Sequence, residues 1–240
     1  MSLVITVYVR EGIIMASDSR LTLNATQNQP GSHQIVNVAV GQTDTVYKTF
    51  LTPNRIGIST FGAADINGVP ITGFMESFIN DHIVQKNISL NNVPKELLKY
   101  FRNISADLQL GFHVAGYSLE NNVPQQCVWS VDIKGNEIKR LDKDGQPGAS
   151  WAGEAEILAR LISPVRVENG PGNFIDLPFS PIQFGYFTIQ DAIDFAVYAI
   201  RTTIDSFRFQ PRPKTVGGPI DILVIRPNEA SWVQRKELHA

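Results

Sequence analysis

The sequence is poor in the features that define several large protein classes. Cys127 is the only cysteine among 240 residues, which excludes an internal disulfide framework. No run approaches the roughly 18 consecutive apolar residues of a membrane-spanning helix. No segment is rich in lysine or arginine, and 21 basic against 23 acidic residues give a formal net charge of −2. We therefore expect no nucleic-acid partner and no membrane partner.

Signals for export and for a bound metal are also missing. The N-terminus lacks a basic region followed by a cleavable apolar core, so we expect no secretory signal and a cytoplasmic location. The histidines are scattered without metal-ligand spacing, and no glycine-rich phosphate loop follows a strand, so we expect no metal and no cofactor. His113 and Cys127 lie in apolar strand patterns, which favours a hydrogen-bonded core histidine and a packed thiol.

What is present is a regular succession of strand and helix patterns. Residues 3–9 and 13–16 are apolar runs joined by a charged turn, which predicts a hairpin covered on both faces. Thr188 and Asp191 resemble a capping box at the start of a long helix. Further strands are predicted at residues 46–51, 55–61, 111–118, 127–133, 137–141, 220–225 and 231–236. Helices are predicted over residues 66–83, 94–108, 153–162 and 188–204.

Two segments lack a clear periodic pattern. Residues 24–44 are rich in Asn, Gln, Gly and Thr and predict a long loop, within which residues 35–40 could form a short extra strand. Residues 164–186 hold four prolines and three glycines and predict an irregular connection. The segregated runs of strands and helices favour an α+β fold. No shift in composition marks a boundary, so we expect a single domain over residues 1–240.

One stretch carries a pattern of chemical interest. Residues 12–20 read Gly-Ile-Ile-Met-Ala-Ser-Asp-Ser-Arg, which places Asp18 and Arg20 at the end of an apolar strand. From the residues alone, the favoured interpretation is that both charges end a hairpin strand in solvent. The stretch nevertheless resembles the second strand of proteasome-type peptidases in the N-terminal nucleophile (Ntn) hydrolase superfamily. In that family the first strand begins with the nucleophile.

The resemblance extends over nearly the whole chain. Lys48 begins Lys-Thr-Phe-Leu before a turn, as the active-site lysine of the family does, and Gly62 follows it after the family's spacing of 14 residues. Residues 112–117 resemble the family's central strand, and residues 215–222 its late strand. The resemblance implies a four-layer αββα sandwich, assembly into homo-oligomers and peptide substrates.

The resemblance also implies the roles of individual residues. The nucleophile position falls on Ser2, which becomes the N-terminus when Met1 is removed. Its own α-amino group would then act as the base, with Lys48 lowering the pKa of that amine and Asp18 orienting Lys48. The backbone N–H of Gly62 would supply an oxyanion hole. Arg20 is expected to support the strand end structurally.

The chain departs from the family in two places, and these leave alternatives open. The Gly/Ser-rich turn before the third helix is replaced by Ser150-Trp151-Ala152-Gly153-Glu154, and residues 213–218 lack the family's Asp-x-x-Ser-Gly acid. These departures favour a divergent bacterial relative. The alternatives are an Ntn amidohydrolase acting on a small non-peptide amide and a non-catalytic subunit of a proteasome-like assembly.

Overall fold

The computed structural model describes residues 2–28 and 35–238 and shows a mixed α and β fold. The strands follow one another as β1 (Leu3–Val9), β2 (Gly12–Ser17), β3 (Leu21–Asn28), β4 (Ile35–Thr43), β5 (Thr49–Leu51), β6 (Gly57–Gly62), β7 (Asp65–Ile66), β8 (Val69–Pro70), β9 (Leu110–Glu120), β10 (Val123–Asp132), β11 (Glu137–Arg140), β12 (Gly148–Gly153), β13 (Arg166–Glu168), β14 (Phe174–Asp176), β15 (Asp221–Ile225) and β16 (Ala230–Gln234).

Four α-helices interrupt the strands within the described ranges. They are α1 (Ile71–Phe78), α2 (Val93–Ile104), α3 (Glu156–Ile162) and α4 (Ile189–Arg208). Residues Ile79–Val84 continue α1 as a π-helical segment, and short 3₁₀ turns occur at Leu90–Asn92, Lys143–Gly145 and Phe184–Tyr186. The predicted capping box is confirmed, because Thr188 Oγ1 accepts from the N–H of Asp191 and the Asp191 carboxylate accepts from the N–H of Thr188.

The longer strands form two five-stranded antiparallel sheets. The first has the order β12-β1-β2-β15-β16 and the second has the order β11-β10-β9-β6-β5. Three antiparallel two-stranded ribbons are formed by β3 with β4, β7 with β8 and β13 with β14. In the first sheet the N-terminal strand β1 lies between β2 and β12, which places the start of the chain between the ends of two neighbouring strands.

Both faces of β1 and β2 are buried, as their continuous apolar runs predicted. Ile5 and Ile14 belong to a core cluster with α3 and α4 on one side of the first sheet. Ile13 and Met15 point to the other side and contact residues of the second sheet, among them Val128. Helices α1 and α2 pack on the second sheet in a third cluster. Successive side chains of a strand point to opposite faces, so the side chains of this hairpin contribute to two separate cores.

Several predicted elements differ from the structure. Residues 24–28 and 35–43 pair as the β3–β4 ribbon, so the prediction of a long loop there was wrong for the described residues, although the strand predicted at 35–40 is confirmed. The segment 164–186 contains the β13–β14 ribbon. The helix predicted from residue 153 begins at Glu156, because residues 148–153 pair with β1 as β12 and Gly153 has φ +94°.

Candidate active site

The candidate site is built on the open end of the β1–β2 hairpin. Ser2 directly precedes β1 and Asp18 directly follows β2. The strands pair with Val4 opposite Ser17, so the next step of the ladder brings Asp18 beside Leu3. The N–H of Leu3 donates to Asp18 Oδ1 at 2.9 Å. The hairpin register thus places Asp18 beside Leu3, the residue that follows Ser2, although Asp18 and Ser2 are 16 positions apart in the chain.

Asp18 is a buried carboxylate with four hydrogen-bond donors. Besides Leu3, Lys48 Nζ donates to Oδ1 at 2.8 Å. The N–H of Arg20 donates to Oδ2 at 3.1 Å and that of Gly217 at 3.0 Å. A buried charge is tolerated only when it is paired and hydrogen-bonded, and both conditions hold here. The prediction that Asp18 ends the strand in solvent was therefore wrong.

Lys48 reaches the same point from the other sheet. It directly precedes β5, and its buried ammonium donates to Asp18 and to the backbone carbonyl of Arg20, the latter at 2.6 Å. Burial lowers the pKa of Lys48, and the charge of Asp18 partly opposes that shift. The two hydrogen bonds therefore hold the lysine in one orientation beside Asp18.

Arg20, for which a structural role is predicted, is held at the strand end by Asp44. Its guanidinium donates two hydrogen bonds of 2.7 Å to the carboxylate of Asp44. This bidentate geometry fixes the orientation of the guanidinium and of the carboxylate. Gly217 makes room for it, since a Cβ there would lie 2.3 Å from Arg20 Cζ. The side chain thereby holds the strand end whose carbonyl accepts from Lys48.

Gly62 closes the opposite wall of the site. Ser2, Lys48, Thr60 and Gly62 line one pocket, whose cavity volume is about 20 Å³. The N–H of Thr60 donates to the carbonyl of Lys48 at 2.8 Å. N–H groups two residues apart along a strand point to the same edge, so the N–H of Gly62 is directed toward this side of β6. The candidate oxyanion donor and the candidate nucleophile therefore share a pocket.

Thr60 is a feature that the sequence reasoning did not single out. The residue is 6% exposed, and within the described residues its Oγ1 has no hydrogen-bond partner. Buried hydroxyls are nearly always paired, so an orphan in a pocket wall is a polar group free to meet a ligand. Only the packing of β6 against its neighbours could have identified it, because Thr is common in strands.

The carbonyl of Ser2 is fixed from the β12 side. The N–H of Glu154 donates to Ser2 O at 2.8 Å. Gly153 is required for this approach, because its φ is +94° and a Cβ would lie 1.8 Å from that oxygen. In the sequence, residues 150–154 are visible only as a departure from the pattern of proteasome-type peptidases. The predicted removal of Met1 concerns a residue outside the described part of the chain and stays a prediction.

Two residues set aside as core positions behave as expected. His113 is buried, its Nδ1 lies 2.9 Å from Thr6 Oγ1, and burial lowers its pKa from 6.5 to about 4. The buried thiol of Cys127 lies 3.1 Å from Ser118 Oγ. Neither residue lines the pocket that contains Ser2. Both are therefore parts of the interior rather than of the site.

Comparisons with known proteins add no family to this geometry. No family model and no curated protein sequence matches the chain. Among the described residues, no group of three or more His, Cys, Asp or Glu side chains has an arrangement that could hold a metal ion. Helices with the length and apolarity needed to cross a membrane are likewise not found in the described ranges.

Proposed function

We propose that this chain is a proteasome-like Ntn hydrolase in which Ser2, freed by removal of Met1, cleaves peptide amide bonds. One observation carries the proposal: Ser2, Lys48 and Gly62 line one pocket, and Lys48 is bound to the buried carboxylate of Asp18. An ion pair with both partners buried is costly to maintain. The ion pair lies beside Leu3, the residue that follows Ser2, and this position supports a role in chemistry at that serine.

The first step is activation of the hydroxyl. A serine hydroxyl is a weak nucleophile until a base removes its proton. The α-amino group of a terminal Ser2 is the nearest such base, and α-amines have a reference pKa of about 7.7–8.0. The amine takes the Oγ proton while Oγ attacks the carbonyl carbon of the substrate. An uncleaved Met1 would convert this base into an amide and abolish the step.

The remaining groups act on the charges that develop. The ammonium of Lys48 stabilises negative charge on Oγ during attack and lowers the pKa of the nearby amine. The N–H of Gly62 donates to the carbonyl oxygen as it becomes an oxyanion, a contribution whose loss typically costs about 10²–10³ in turnover. The α-ammonium returns the proton to the leaving nitrogen, and water then hydrolyses the ester on Ser2.

The packing supports the finer form of the predicted fold. Helices α3 and α4 cover one sheet, α1 and α2 cover the other, and a further apolar cluster joins the two sheets. We include a four-layer αββα sandwich in the proposal, formed as a single domain in the cytoplasm. Apolar side chains exposed on the β13–β14 ribbon, such as Phe174 and Ile175, support assembly into homo-oligomers.

An Ntn amidohydrolase of a small non-peptide amide is a second candidate. The pocket beside Ser2 has a cavity volume of about 20 Å³, far below the roughly 300–1,000 Å³ of usual ligand sites. A cavity of that size holds little more than one water, so its volume favours neither substrate class, and the chemistry at Ser2 would be the same for both. Turnover of fluorogenic peptides, compared with turnover of small acyl amides, separates the two candidates.

The experiment that tests the proposal measures the N-terminus and its reactivity. Intact-mass analysis should show loss of Met1, and a β-lactone probe should label Ser2 in the assembled protein. The Ser2→Ala variant should lose labelling and turnover, whereas Ser163→Ala, at an exposed serine after α3, should retain both. Full retention of Met1, or unlabelled Ser2 in an assembled particle, would instead support a non-catalytic subunit.

A further inference from the structure

Glu154 faces Ser2 across the edge of the first sheet. Strands β1 and β12 pair with Leu3 opposite Gly153, and the next step of the ladder sets Glu154 opposite Ser2. The hydrogen bond from the N–H of Glu154 to the carbonyl of Ser2, 2.8 Å long, continues that pairing. Glu154 is therefore a cross-strand neighbour of the candidate nucleophile.

The Glu154 carboxylate is buried and held by two donors. The residue is 9% exposed. Thr215 Oγ1 donates to Oε1 at 2.9 Å and Arg212 Nη2 donates to Oε2 at 2.7 Å. Arg212 also pairs with Glu156 and lies over the ring of Phe207. Each carboxylate oxygen has a second lone pair, so the group can accept a further hydrogen bond.

Two charged clusters thus flank Ser2. Asp18 and Lys48 lie on the β2 side, and Glu154 with Arg212 lies on the β12 side. The segment from Thr215 to Gly217 touches both, because Thr215 donates to Glu154 and the N–H of Gly217 donates to Asp18. Arg20 lines the pocket as well but is neutralised by Asp44. The buried Lys236–Asp221 ion pair also lies close enough for the charge of Lys236 to act on Lys48.

We infer that Glu154 positions the α-amino group of Ser2. This inference rests on the proposed function. A carboxylate beside the amine accepts one of its N–H bonds, which directs the nitrogen lone pair toward the hydroxyl. The same charge stabilises the ammonium that forms when the amine takes the Oγ proton. That proton passes from Oγ to the amine and then to the leaving nitrogen, so Glu154 itself stays ionised throughout.

The test is the pH dependence of Ser2 acylation by a β-lactone in the assembled, Met1-free protein. Glu154→Gln keeps the size of the side chain and an acceptor for Thr215 but removes the charge. We expect the midpoint of its rate–pH profile to fall by about one unit, since the ammonium loses its partner. The limiting rate should fall at least about tenfold, since the amine is less well oriented.

A matched control and a rescue variant distinguish positioning from simple structural support. Glu156→Gln breaks the other ion pair of Arg212, away from Ser2, and should leave the midpoint unchanged. Glu154→Asp restores the charge and should return the midpoint most of the way to its wild-type value. An unchanged profile in Glu154→Gln, or an equal shift in Glu156→Gln, overturns the inference.

The same measurements distinguish failure of the proposed function from failure of the inference about Glu154. Wild-type protein that is not acylated at Ser2 overturns the proposed function and this inference together. Wild-type acylation combined with an unaltered Glu154→Gln profile overturns the inference alone. If Glu154→Gln does not fold, the rate–pH profile of Glu154→Asp is the test. Its carboxylate is withdrawn by one methylene, so the limiting rate should fall while the midpoint stays close to the wild-type value. An unaltered limiting rate overturns the inference.

Discussion

Lys48 Nζ lies 2.8 Å from Asp18 Oδ1, with side-chain exposures of 7% and 0%. The two residues come from different sheets, so this ion pair joins the sheets at the point where the chain begins. Removing one partner of such a pair leaves a buried charge without compensation, which typically costs about 3–5 kcal/mol. The pair therefore connects the stability of the fold to the proposed chemistry.

Asp18→Asn should lower the free energy of unfolding by about 3 kcal/mol or more, because Lys48 loses its counter-ion. Urea denaturation of the variant and the wild type measures the difference. Arg166→Gln is the matched control, since its ion pair with Asp176 is 73% and 71% exposed and should contribute less than about 1 kcal/mol. Equal effects of the two substitutions would contradict the importance assigned to burial.

Gly62→Ala should destabilise the protein and abolish acylation of Ser2. Gly62 has φ +99°, and a Cβ would lie 2.3 Å from the carbonyl oxygen of Gln109. Gly68 provides the control, because its φ is +81° but no atom lies within 4 Å of an added Cβ. Gly68→Ala should cost only the conformational penalty of about 1–2 kcal/mol. Thermal unfolding of both variants isolates the clash at Gly62.

The stability of the protein should fall in acid because of His113. Its folded-state pKa is lowered from 6.5 to about 4, so the unfolded chain binds a proton at a higher pH than the folded chain does. The stability associated with a neutral His113 is therefore fully present above about pH 6.5 and is lost as the pH falls from 6.5 toward 4. At about 1.4 kcal/mol per pKa unit, the full loss is roughly 3 kcal/mol.

Comparing unfolding at pH 7 and pH 4.5 in wild-type and His113→Gln proteins checks this contribution. The variant should show a smaller difference between the two pH values, because glutamine does not titrate. The hydrogen bond to Thr6 makes glutamine the closest non-titrating replacement. An equal pH difference in both proteins would show that His113 is not the group responsible.

Thr60→Val should leave stability unchanged or raise it by up to about 1 kcal/mol, because it removes a buried hydroxyl without a partner. Thr49→Val is the contrasting variant, since Thr49 Oγ1 bonds both Ser17 and Ser59 at 2.9 Å. It should lose about 1–2 kcal/mol. Chemical denaturation measures both, and a clear loss in Thr60→Val would show that this hydroxyl has a partner.

Lys236→Met should destabilise the protein by about 3–5 kcal/mol, because it leaves Asp221 as a buried, unpaired carboxylate. It should also slow acylation of Ser2. Lys236 Nζ lies 4.4 Å from the ring centroid of Tyr47, a residue that lines the pocket. The double variant Asp221→Asn with Lys236→Met should be less destabilised than the single variant. A double-mutant cycle in urea measures this coupling.

Local patterns in the sequence determined the elements on which the site stands. The apolar runs of β1 and β2 specify a two-sided strand pair, and their charged turn specifies the hairpin. The Thr188–Asp191 capping box marks the start of α4 because it depends on residues only three positions apart. These signals are local, so the residues alone contain them.

The tertiary structure decided which charges are buried and which residues meet. Asp18 is buried because Lys48 and Gly217 come from distant parts of the chain to satisfy it. Strand β12 carries no strong strand pattern and forms because its backbone pairs with β1. That pairing brings Glu154 to Ser2, a contact over 152 positions. Long-range pairing of this kind depends on the whole fold, which no local pattern in the sequence encodes.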